Sequence, residues 1–133
     1  MPWNVSRAVN TVRKEILKFP AGLDAIESVV LRASGVAALP SATTGYVGKL
    51  GLLAGTILTP VSGDSQNRYK KYTGSGDIAG ILGDNVYFFD GLDHSDEPAD
   101  MLIHGCVFDK DRIIDFVAYE SALRTALNTC RFD

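Results

Sequence analysis

The stretch AGTILTPVSGDSQNRYKKYTGSGDIAGIL, residues 54–82, carries the pattern that sets the fold class of this chain. Thr56 to Val61 reads as a strand, and Ser62 to Asn67 is built from serine, glycine, aspartate and asparagine, residues that bend the backbone or hydrogen-bond to it locally. Arg68 to Tyr72 returns as a second strand, Thr73 to Asp77 turns again, and Ile78 to Leu82 goes back as a third. Three short strands at this spacing predict a meander or a small barrel.

Working outward, AIESVVLRA (Ala25–Ala33) is rich in β-branched residues and is expected to be a strand. The segment that follows carries turn chemistry at Ser34-Gly35, Pro40 and Gly45. Downstream, NVYFFDG (Asn85–Gly91) and MLIHGCVF (Met101–Phe108) form a second β block. In the latter, Met101, Ile103 and Val107 alternate with Leu102, His104, Cys106 and Phe108, so both faces are largely apolar and the strand is expected to be central.

Both ends of the chain read as helical. Val5, Val9, Val12 and Ile16 recur at helical spacing, predicting a helix from about Ser6 to Lys18 that Asn4 or Ser6 caps and Phe19-Pro20 stops. At the other end, DFVAYESALRTALNTC predicts a helix with Asp115 as N-cap and a stripe of Phe116, Tyr119, Leu123, Ala126, Leu127 and Cys130, closing one end of the barrel. The expected fold class is therefore α+β, mainly β. A small barrel domain spans residues 21–133, preceded by an N-terminal arm, residues 1–20, and ended by a C-terminal helix.

Composition narrows the function classes. A chain of 133 residues with 46% hydrophobic and 22% charged residues fits one soluble globular domain with a real core. No apolar run reaches the roughly 18 residues that span a membrane. Arg7, Arg13, Lys14 and Glu15 interrupt the N-terminal segment, so it does not read as a signal peptide and the protein is expected to be made and kept soluble. The first twenty residues carry four cations against Glu15 alone, net +3, which leaves −6 for the rest of a chain whose total is −3. Such a basic segment is most simply a solvated helix face. Beyond Trp3 it has no interleaved aromatics, so no nucleic-acid partner is expected.

No motif with catalytic chemistry survives inspection. The glycines of GSGDIAG (Gly74–Gly80) stand at relative positions 1, 3 and 7 where a dinucleotide fingerprint needs 1, 3 and 6, and a strand follows instead of a helix. They read as turn residues that need positive φ. Asp90, Asp93, Asp96, Glu97 and Asp100 crowd one acidic stretch, but their order does not match a calcium loop, and they read as a solvated loop. His94, His104, Cys106 and Cys130 are the whole stock of soft ligands, and their spacing is not that of a zinc site. Cys106 reads as a small hydrophobe beside a boundary histidine. No G-x-S-x-G elbow is present. Neither a cofactor nor a metal is expected.

Gly55-Thr56-Ile57-Leu58, Tyr69-Lys70-Lys71-Tyr72, Gly80-Ile81-Leu82 and Ile103-His104-Gly105-Cys106-Val107 occur in the order of the strands "G-T-[VI]-L", "K-Y-x-x-Y", "G-I-L" and "V/I-x-G-x-V". In that order and spacing the chain resembles the lambda-type head decoration proteins of tailed phages, over about half its length. The resemblance implies a β-tulip-like barrel and a structural virion protein with no reaction to catalyse. It further implies a position on the outer capsid surface after synthesis in the host cytoplasm, with the major capsid protein as partner and a homotrimer as the assembled form. It also implies an extended arm, whereas the stripe above reads as a helix; the segment before Pro20 and the strand around Val29 exceed what the smaller members of the family suggest. Two other classes remain open, a different head or tail completion protein and a small β-fold enzyme similar to dUTPases.

The arm supplies the candidate contact residues. Its stripe has no partner in the neighbouring sequence, so Trp3, Val5, Val9, Val12 and Ile16 are expected to dock on a capsid subunit or a second copy, while Arg7, Arg13 and Lys14 meet acidic groups there. The alternative is that the helix packs on its own domain.

Overall fold

The computed structural model describes residues 16–18, 25–34, 36, 51–88 and 96–133. Its strands are β1 (Ile26–Leu31), β2 (Gly51–Leu52), β3 (Ile57–Pro60), β4 (Tyr69–Lys71), β5 (Gly80–Leu82), β6 (Val86–Tyr87), β7 (Glu97–Leu102), β8 (Val107–Phe108) and β9 (Arg131–Phe132). A 3-10 turn, Lys110–Arg112, precedes the helix α1, Phe116–Ala126. Five strands close into a barrel in the order β1-β4-β3-β5-β7, so the fold is α+β, mainly β, with a small barrel and a C-terminal helix.

The three strands of residues 54–82 do form, but not as a meander. β3 lies between β4 and β5 and is antiparallel to both, with Leu58 opposite Lys71 on one side and Gly80 on the other. β4 is taken on its far edge by β1, which it meets in parallel at Leu31 and Tyr69, so β5 crosses to the free edge of β3. The glycines of the crossing segment, Gly74 and Gly76, adopt φ of 108° and 87°, as the turn reading requires. Closure comes from the longest ladder, β1 against β7, which runs from Ile26 opposite Leu102 to Leu31 opposite Glu97.

That ladder corrects two expectations. Met101–Phe108 is not one central strand: β7 ends at Leu102, the chain bends through Ile103–Cys106 with Gly105 at φ 68°, and β8 starts a separate small sheet. The acidic stretch is not wholly a solvated loop either, because Glu97 and Asp100 are strand residues of β7. Pro98 is tolerated there because β5 pairs only with Met101 and Leu102, leaving the proline on an open edge.

Both faces of β3, of β5 and of the end of β7 are covered. Ile57, Ile81 and Leu102 enter one buried cluster with Phe108, Phe116, Leu123 and Phe132, whereas their chain neighbours Leu58, Leu82 and Met101 enter another with Val29, Leu31, Val86 and Phe88. Alternation along a strand sends successive side chains to opposite faces, so an apolar pair such as Ile57-Leu58 joins two clusters. Each large side chain buried this way contributes about 1.5–3 kcal/mol. The two-stranded sheet of β2 and β6 adds Leu52 and Val86 to the second cluster.

The first cluster is completed by both ends of the described chain. β9 runs parallel to β8, with Val107 opposite Arg131 and Phe108 opposite Phe132, and the two phenyl rings stack at 5.3 Å. On the other side of β8, Leu17 bridges Phe108 in antiparallel fashion, with Lys18 N–H donating to Val107 O and Asp109 N–H donating to Ile16 O. The helix expected to reach Lys18 therefore gives way to extended backbone by Leu17. α1 begins where expected, with Asp115 at the N-cap position, but its backbone is left-handed (φ 62°), its side chain makes no capping bond, and its carboxylate lies 3.7 Å from Lys71 Nζ.

Candidate interaction surface

α1 presents a narrow stripe to the core and a wide face to solvent. Phe116 and Leu123 are buried and Tyr119 is half-buried, meeting Tyr72 edge-on at 5.0 Å. Of the expected stripe, Leu127 is also buried, but Ala126 is exposed. Arg124 lies over the rings of Phe116 and Phe132, donates to Glu120 Oε2 at 2.9 Å and reaches Phe132 O. The basic side chain thus shields aromatic edges instead of projecting outward.

Apart from the exposed Glu120–Arg124 pair, what remains outward is uncharged and small: Val117 is 90% exposed, and Ala118, Ser121, Ala122, Thr125 and Ala126 are exposed around the helix. A groove lies on each flank of this ridge. One, of about 640 Å³, runs between α1 and the segment from Tyr72 to Ile78. The other, of about 700 Å³, is bounded by Lys110, Ile113, Asp115, Phe116 and Glu120. Ridge and grooves together offer apolar area and shape, which is the chemistry of protein contact.

Polar side chains that sequence inspection singled out have other uses. Asp96 Oδ2 accepts from Arg68 Nη1 at 3.0 Å, its Oδ1 accepts from the N–H of Ala33, and Arg68 is also paired to Asp64 at 2.9 Å. The Arg68 guanidinium holds the Asp64 carboxyl down to about 2, and the Ala33 N–H, then Arg68, lower that of Asp96. These carboxylates are latches between loops. His94, Asp90 and Asp93 lie outside the described residues.

His104, Cys106 and Cys130 come together at the start of the β8–β9 ladder. Cys106 is buried, Cys130 is half-buried, and no disulfide joins them. A hydrogen bond from the Cys106 thiol, helped by the Cys106 backbone, Thr129 and nearby His104, brings the Cys130 thiol down to about 6 against the opposing effect of burial. The sequence leaves a bridge between these two cysteines open without placing them together, because 24 residues separate them and a parallel two-residue ladder leaves no periodic signal. Among the described residues no group of three or more histidine, cysteine or acidic side chains is placed to hold a metal.

Of the candidate contact residues, Trp3, Val5, Arg7, Val9, Val12, Arg13 and Lys14 lie outside the described residues. Ile16 lies within them and is 2% exposed, packed into this chain's own first cluster. Its side chain is already covered at home, so it offers no surface to a neighbour.

Comparison with known proteins found no matching family model, no matching curated protein and no matching solved structure.

Proposed function

We propose that this chain is a structural virion protein that binds the outside of a tailed-phage capsid and stabilises it, assembling there as a trimer around the major capsid protein. The reading contains no chemical step, cofactor or nucleic-acid contact. Its support begins with the four stretches that carry the resemblance, three of them holding a glycine. Gly55–Leu58, Tyr69–Tyr72 and Gly80–Leu82 lie on neighbouring strands of one barrel, and Ile103–Val107 links that barrel to β8.

Gly80 and Gly55 in these stretches are there for packing, whereas Gly105 at φ 68° has open space around it and serves the bend before β8. A Cβ at Gly80 would lie 2.6 Å from both the Leu102 carbonyl oxygen and Met101 Cγ, and one at Gly55, where φ is 92°, would strike the carbonyl oxygen of Arg112. Such positions specify how strands and the segment before α1 approach one another, so a shared glycine pattern carries a shared architecture.

The observation that weighs most is the exposed face of α1, where Val117 and several small side chains stand beside the Glu120–Arg124 pair and between two grooves. A protein that cements a shell works through many modest contacts repeated over the lattice, and a compact barrel with one apolar ridge suits that use. Val117 and its neighbours are assigned to contacts between copies, and the arm before Ile16 to contacts with capsid subunits.

Electron microscopy of capsids incubated with the purified chain tests the proposal. Density for the barrel in groups of three on the outer surface, with α1 facing a sister copy, is the expected result. A map of bare capsids at saturating protein, or density confined to the tail or portal, overturns it.

A further inference from the structure

We propose that Cys106 and Cys130 form a dithiol site that a small disulfide such as oxidised glutathione converts to an intramolecular disulfide, pinning β9 to β8. The inference goes beyond the capsid reading and does not depend on it, because it concerns the chemistry of the isolated chain.

The geometry follows from the ladder. Val107 is opposite Arg131 in parallel register, and Arg131 N–H donates to Cys106 O at 2.9 Å. Cys106 and Cys130 therefore stand one residue earlier on neighbouring strands, at the same level. Adjacent strands lie about 4.8 Å apart, inside the range of about 4.4–6.8 Å between Cα atoms that a disulfide spans. The Cys106 thiol donates to His104 O at 3.5 Å and is near enough to Cys130 to lower the acidity constant of that thiol.

The two thiols differ in a way that assigns their roles. Cys130 is half-buried and open to a small reagent, whereas Cys106 is 2% exposed. The Cys106 contact favours ionisation of the Cys130 thiol, and the thiolate is the nucleophile in exchange. Cys130 Sγ attacks one sulfur of the small disulfide, whose S–S bond breaks and releases one thiolate. Cys106 then gives up its proton to that thiolate or to solvent, and its Sγ attacks Cys130 Sγ of the mixed disulfide, releasing the second small thiol. Two protein thiols and one small disulfide yield one protein disulfide and two small thiols, so atoms and electrons balance.

The bond would close a loop containing α1 and tie the C-terminal strand to the sheet. Cross-linking a loop of this length restricts the unfolded chain.

The test uses the full chain incubated with oxidised glutathione at neutral pH and followed by thiol titration, intact mass and non-reducing peptide mapping. Wild type should lose both thiols and the mass of two hydrogen atoms, retain no glutathione, and yield a peptide joining Cys106 to Cys130. Its unfolding midpoint should rise by on the order of 10 °C. Cys106→Ala, which lacks the second thiol, should keep glutathione on Cys130 as a stable adduct. Cys130→Ser should leave the buried Cys106 unmodified while folded. A wild-type protein that keeps both thiols, stops at the glutathione adduct, links only to other chains, or forms the bond without any rise in midpoint overturns the proposal.

Discussion

Arg68 Nη1 donates to Asp96 Oδ2 at 3.0 Å, joining the turn that follows β3 to the residue just before β7. Asp96 also accepts from Ala33 N–H, and Arg68 holds Asp64, whose side chain is only 8% accessible, so Arg68 and Asp96 together link the 64–68 turn, Ala33 and the approach to β7. Both carboxyls titrate below their unfolded value of about 3.9. A folded-state value lower than the unfolded one gives stability that is fully present above about pH 4 and is lost as pH falls toward about 2, where Asp64 titrates. Thermal melts of wild type should show a midpoint that drops across this window. Arg68→Met should lower the midpoint at neutral pH and flatten the drop; an unchanged slope in that variant would show that the pairing is not what titrates.

Gly80→Ala should cost about 1–3 kcal/mol, because the added methyl meets the backbone of Leu102 and the side chain of Met101 where the barrel cannot yield cheaply. Gly63 makes a useful control. It has φ of 68° with open space around it, so Gly63→Ala should cost only the left-handed conformation, about 1 kcal/mol. Urea titration of the two variants measures the difference, and equal losses would contradict the packing account.

How much of this was legible in the sequence depends on the range of each interaction. The strands of residues 54–82 were readable because turn residues and apolar runs are local signals. Their order was not, since whether β5 joins β4 or crosses to β3 depends on β1 occupying the edge of β4 through Leu31 and Tyr69. The break at Gly105 was hidden by an apolar run that continues across it, from Met101 to Phe108. Asp96 looked like one carboxylate among several because Arg68, its partner, stands 28 residues away. The stripe of α1 was readable, but its exposed ridge was not, as alanines and a valine look alike inside and outside a core. The contact residues assigned to the arm were read from a stripe whose last member, Ile16, the fold uses for itself.

Ile16→Ala should destabilise the isolated domain by about 2–4 kcal/mol, because Ile16 fills the cluster beneath Phe108. A deletion of residues 2–14 should leave the midpoint of unfolding within a few degrees of wild type, whereas one that continues through Lys18 should lower it strongly by uncovering β8. Scanning calorimetry of both deletions checks this, and equal midpoints would mean that the strand at Leu17 contributes nothing.

Val117→Asp should change stability by less than about 0.5 kcal/mol, since the side chain is 90% exposed and an acidic group near the start of α1 is favourable to the helix dipole. If the ridge mediates contact between copies, the same substitution should reduce trimer formation on the capsid at least tenfold, because it places a charge in an apolar interface. A folded variant that assembles with wild-type affinity would remove α1 from the interface.

Cosedimentation of the full chain with expanded capsids, assembled from the major capsid protein of the same genome, tests the central claim most directly. The account predicts saturable pelleting with a copy number divisible by three, a higher temperature of capsid disruption, and loss of both on deleting residues 2–14. Its binding should fall only in part at high salt, since apolar burial is screened little. A folded full-length chain that stays in the supernatant at every concentration, with capsid stability unchanged, would contradict it.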